Sequence, residues 1–94
     1  MKVHVRYFAV MREIARKGEE TIEYPTSLTL LDLLKLLAIK YGMNMEAYVF
    51  DPRTNTPRPI LQYLVNGRTF TASQTSATVL DDGSVVSIIP TQGG

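Results

Sequence analysis

Val85-Val86-Ser87-Ile88-Ile89-Pro90, followed by Thr91-Gln92-Gly93-Gly94, is the stretch on which the fold turns. The apolar run reads as a strand buried on both faces, and Pro90 closes it because proline has no N–H to give a ladder. Beyond it lie four residues without an apolar side chain, with a reach of about 13 Å at ~3.3 Å per extended residue. A chance Gly-Gly at a given place is about a one-in-two-hundred event at average glycine usage, which weighs against a merely frayed end. Without Cβ atoms such a backbone can lie in a narrow tunnel and adopt angles closed to other residues. An enzyme could then bring the Gly94 carboxylate up to a nucleotide phosphate.

Working outward, Asp81-Asp82-Gly83 is a turn that feeds this strand from Val79-Leu80. Leu61–Val65 reads as a strand, and Asn66-Gly67 is a strong hairpin signal that returns the chain through Arg68-Thr69-Phe70. Thr71 to Thr78 is polar and irregular. At the other end, Val3, Val5 and Tyr7 alternate with Lys2, His4 and Arg6, giving a half-buried first strand with Phe8 on its polar side. A short helical turn follows with Val10 and Ile14 on one face, stopped at Gly18. Glu20–Tyr24 is a second strand, antiparallel to the first, with Ile22 and Tyr24 inward.

Between these strands lies the principal helix. Thr29 is its N-cap, with Asp32 three residues on, where a carboxylate suits the free N–H groups. Leu30, Leu33, Leu34, Leu37 and Tyr41 form the core-facing stripe, and Gly42 caps the end. Leu31, Leu36 and Ile39 lie off the stripe and need cover from a neighbouring segment or a partner. Ala47–Phe50 reads as a short strand or edge, and Asp51 to Pro59 as a surface loop.

With 94 residues, 45% hydrophobic and 20% charged, the chain is expected to form one domain at 1–90, with 91–94 as a flexible tail. Ten Lys and Arg against nine Asp and Glu leave a net charge of +1 and no electrostatic footprint for nucleic acid. Cysteine is absent, which excludes disulfides and thiolate catalysis. No signal peptide or membrane span is expected, so the reading is cytoplasmic. His4, the single histidine, reads as a surface strand residue rather than a metal ligand, and no serine has the context of a nucleophile.

The order strand, strand, helix, strand, strand, strand predicts an α+β β-grasp (ubiquitin-like) fold. Its mixed sheet has four to five strands, the first and last side by side at the centre, with one main helix on one face. Val5-Arg6-Tyr7-Phe8-Ala9 and Arg12-Glu13-Ile14-Ala15, then Leu64-Val65-Asn66-Gly67, Leu80-Asp81-Asp82-Gly83 and the terminal run into Gly93-Gly94, resemble the ubiquitin-like sulfur carrier family. That group takes in the molybdopterin synthase small subunit, the thiamine-pathway sulfur carrier, the ubiquitin-related modifier and the small archaeal modifiers.

The resemblance implies that Gly94 is adenylated by an ATP-dependent ubiquitin-activating-type enzyme and converted to a thiocarboxylate. It is then used for sulfur transfer or joined to a target-protein lysine. It implies no stably bound cofactor, since ATP would belong to the partner, and no Walker pattern is present. A molybdopterin synthase large subunit is the alternative partner, although a single Pro90 followed by Thr91 and Gln92 departs from the two prolines and hydrophobic residue that the resemblance implies for the small subunits of that enzyme. A β-grasp interaction module with an inert tail is the alternative of another class. The expected partner-binding residues are Thr91, Gln92 and Gly93 in the tail, with Phe8, Leu64 and Ile88 as an apolar patch on the open sheet face.

Overall fold

A computed structural model describes residues 1–91. Strand β1 (Lys2–Tyr7) is followed by helix α1 (Ala9–Ala15) and strand β2 (Glu19–Glu23). The two-residue β3 (Leu28–Thr29) leads into α2 (Leu30–Tyr41), then α3 (Met43–Val49), and β4 (Phe50–Asp51) pairs with β5 (Thr56–Pro57). Strands β6 (Leu61–Val65) and β7 (Arg68–Phe70) precede a 3₁₀ turn at Ala72–Ala77, β8 (Val79–Leu80) and β9 (Val85–Pro90).

Five strands form the main sheet in the order β2-β1-β9-β6-β7. β1 and β9 are parallel, with Tyr7 opposite Ile88, and every other pairing is antiparallel. The last strand is therefore central and the first lies beside it, as their apolar content requires. The small β3–β8 ladder ties the entry of α2 to the segment before the Asp81 turn.

One face of the sheet is dry. Val3, Val5 and Tyr7 of β1, Val86 and Ile88 of β9, and Leu61, Tyr63 and Val65 of β6 are buried against Leu30, Leu33, Leu34 and Leu37 of α2. The helix begins as its sequence demands. Thr29 accepts a hydrogen bond from the Asp32 N–H at 3.0 Å, and Asp32 accepts one from the Thr29 N–H at 3.1 Å. At Asn66-Gly67 both residues have positive φ, 51° and 85°, the geometry that lets a two-residue turn follow the twist of its strands.

Four expectations fail locally. Ala47–Val49 is helical rather than extended: Met45 and Val49 are buried one turn apart. Gly42 caps α2 through its N–H to Ala38 O and its own carbonyl accepts from the Glu46 N–H, so one glycine ends one helix and starts the next. The Asp51–Pro59 loop contains the β4–β5 ladder. Thr71–Thr78 is a 3₁₀ turn held by a capping box between Thr71 and Gln74, with Thr75 buried and bonded to Ala72 O. In α1, Met11 and Ala15 face the core and Val10 is exposed; the helix ends at Arg16, in the left-handed region at φ 61°, before Gly18 is reached.

Candidate functional site: the end of β9 and the open sheet face

β9 is the strand that precedes the Gly93-Gly94 stretch in sequence. Its parity is set by pairing: Val86 and Ile88 are buried, Val85 is exposed, and Ser87 and Ile89 are half-buried on the side away from α2. The strand is thus buried on one face, and Ile88 is not a surface residue. It has 0% exposure and stands between Tyr7 and Tyr63, both buried. An apolar run hides its own period, and only Ser87 marks the outer face. With Ser87 outside, Ile88 must be inside and Ile89 out.

The open face has three half-buried apolar residues: Phe8, Leu64 and, where Ile88 was expected, Ile89. Leu64 lies opposite Ser87 of β9 and Thr69 of β7, and so diagonal to Ile89. Phe8 caps the start of α1 with extended backbone, and the Arg6 guanidinium carbon lies 5.7 Å from its ring centre. Polar neighbours intersperse the three: Arg6, Ser87, and Gln62, whose amide donates to Thr69 Oγ1 at 3.3 Å. The arrangement is apolar anchors in a polar frame, suited to a protein partner rather than to chemistry on the sheet.

At the strand's exit the chain is pinned. The Thr91 N–H and its hydroxyl both donate to Ile60 O, at 3.0 and 2.6 Å. Thr91 therefore belongs to the folded body and fixes where the last residues leave it. Gln92, Gly93 and Gly94 lie outside the described residues.

Two features escape a reading by motif. Glu20 shares the parity of Ile22 and points inward, where it accepts hydrogen bonds from the hydroxyls of Tyr7 and Tyr41 and from Lys40 Nζ at 2.5 Å. Burial alone would raise its pKa, but the bonds from Lys40 and both tyrosines outweigh that and hold it at about 2. Burial, reinforced by Glu20, pushes Tyr7 up in turn. The strand alternation of Glu20-Thr21-Ile22 carried this signal. The second feature is the turn at Asp81-Asp82-Gly83, which is structural: Asp82 accepts from the Lys2 N–H at 2.6 Å, and the buried Ser84 hydroxyl oxygen accepts from the Asp81 N–H at 2.9 Å. Among the described residues no group of His, Cys, Asp and Glu could hold a metal, and no helix is long and apolar enough to cross a membrane.

A central last strand, a helix gripped by a mixed five-stranded sheet and a sequence running on to Gly-Gly define a ubiquitin-like β-grasp protein. The chain belongs to the ThiS family, whose model matches residues 5–94. It is 30% identical over 96 residues to small archaeal modifier protein 3 of Haloferax volcanii, covering 100% of this chain and 99% of that protein. A 43-residue stretch is 42% identical to the molybdopterin synthase sulfur carrier subunit of Drosophila yakuba. That match covers 46% of this chain and 48% of the relative, so it spans about half the length of that protein. SAMP1 of Haloferax volcanii shares the fold, with a TM-score of 0.81 at 18% identity over 100% of this chain and 99% of the other. By family the chain is a ubiquitin-like sulfur carrier or modifier.

Proposed function

We propose that Gly94 is the reacting residue of this chain. An ATP-dependent ubiquitin-activating-type enzyme joins its carboxylate to AMP with release of pyrophosphate. Hydrosulfide from a sulfur donor then displaces AMP to leave a thiocarboxylate. The sulfur passes to a small-molecule precursor or to transfer RNA, or the activated glycine is joined to a target lysine. The observation that carries this reading is the family match, which runs through Gly93 and Gly94. The pinning of Thr91 supports it: three residues beyond a fixed point reach at most about 10 Å, so the partner must come to the body. Phe8, Leu64 and Ile89 offer the surface for that approach. A second reading, a subunit of molybdopterin synthase, is favoured by the local match to the Drosophila protein.

The test is intact mass after incubation with the source organism's adenylating enzyme, ATP and sulfide. The protein should gain the mass difference between sulfur and oxygen, placed on Gly94 by fragmentation. Deleting Gly94 should abolish the gain without moving the melt. Gly93→Val should block it with the carboxylate still present, because a β-branched side chain fills a tunnel and excludes glycine's angles. Wild-type protein that never gains an adenylate or sulfur leaves the inert-tail module as the better account. Transfer that requires a molybdopterin synthase large subunit selects the second reading.

A further inference from the structure

Beside the exit of β9, on the flank away from the 3₁₀ turn, lies a hollow of about 520 Å³. Its wall is assembled from Ala9 and Val10 of α1, Tyr48 of α3, Arg58 and Ile60 of the segment before β6, and Pro90. Val10 and Ile60 are large apolar side chains left 44% and 48% exposed here. Arg58 sits among them in a fixed place. Its N–H donates to Val49 O at 2.7 Å, its carbonyl accepts from the Tyr63 hydroxyl at 3.0 Å, and its Nε donates to Ala47 O at 3.1 Å. Among the described residues no carboxylate forms an ion pair with it. Ala9, at the rim, is held at φ 51°, a conformation that disfavours a residue with a Cβ and that concentrates at binding clamps.

We infer that this hollow is a docking socket for the activating enzyme, taking one bulky apolar side chain of that enzyme with a neighbouring carboxylate set against Arg58. The inference rests on the reading that an enzyme takes hold of Gly94. Charge selects the occupant: the Arg58 side chain lines an apolar hollow and has no carboxylate partner among the described residues, so it favours an anionic group on the partner over a neutral or basic one. Position selects it too. The Ile60 carbonyl pins Thr91 while the Ile60 side chain lines the hollow, so an enzyme that draws in the last three residues passes over this wall. The socket extends the contact from the open sheet face around the rim of the sheet.

The test uses the full chain with the same adenylating enzyme, measuring affinity by calorimetry without ATP and KM and kcat for the carrier with it. Ile60→Ser and Arg58→Gln should each weaken binding and raise KM by about tenfold, as for a central anchor, with kcat changed less than about twofold. Ile39→Ser, an exposed position outside the hollow, is the control. Added salt should weaken wild-type binding more than that of Arg58→Gln. Wild-type affinity and KM in both variants overturn the inference. So does tighter binding by Arg58→Gln, which would mean that Arg58 holds the chain's own terminal carboxylate. If the wild type binds but is never adenylated, the reading of Gly94 fails while the affinities alone decide the socket. An enzyme that does not bind the wild type overturns both.

Discussion

Glu20 is the strongly shifted acid among the described residues, and its side chain is only 9% exposed. Its carboxyl is held at about 2 in the fold against 4.5 in the open chain. Its contribution is therefore complete above about pH 5 and is lost as the pH falls from there towards 2. Glu20→Gln should lower stability at pH 7 by about 2 kcal/mol, after allowing for screening at half-exposed Lys40, and should flatten the acid limb. Urea titrations between pH 2 and 7 check this, and an unchanged acid limb would show that Glu20 does not hold β2 to α2. Neighbouring isoleucines make a second contrast. Ile88→Ala leaves a cavity between two tyrosines and should cost about 2–4 kcal/mol, whereas Ile89→Ser should cost under about 1 kcal/mol. With Phe8→Ala and Leu64→Ala, Ile89→Ser should weaken binding to the activating enzyme. Equal stability losses at 88 and 89, read from thermal melts, would refute the parity of β9.

Among the elements, α2 states its own energetics. Leu33→Ala and Leu37→Ala each empty space under the sheet and should cost about 2–5 kcal/mol. Asp32→Ala removes half of the capping box and should cost about 1 kcal/mol. Denaturant titrations giving the reverse order would mean that the helix faces another way. This helix was legible in sequence because its stripe, cap and stop agree, and the β6–β7 hairpin because Asn66-Gly67 admits few geometries. α3 was not, since Met43-Asn44-Met45 offers no capping side chain and its start borrows the glycine that ends α2. The 3₁₀ turn was obscured by a polar composition that buries Thr75 alone. At the site, Phe8 and Leu64 could be placed because their strands alternate, while Ile88 could not because its strand is apolar on both sides of Ser87. The hollow at Arg58 was invisible in sequence: its wall draws on segments some eighty positions apart, from Ala9 to Pro90.

For the molecule as a whole, the sheet order fixes how the two ends relate. β1 and β9 run parallel as neighbours, so the chain starts at one rim of the sheet and leaves from the opposite rim. β9 is also flanked on its other side by antiparallel β6, through pairs from Leu61↔Pro90 to Val65↔Val86. A pull applied between the termini therefore acts along these strands, and the hydrogen bonds on both sides of β9 share the load instead of opening singly. The expected outcome in a single-molecule pulling experiment is a higher rupture force between residues 1 and 91 than between residues 60 and 91, which sit together at one end of the β6–β9 ladder so that the load opens it pair by pair. Equal forces along the two directions would contradict it. A machine that draws on this protein from the end of β9 thus loads the ladders on both sides of that strand in shear, a direction in which many hydrogen bonds must break together before the body can be threaded.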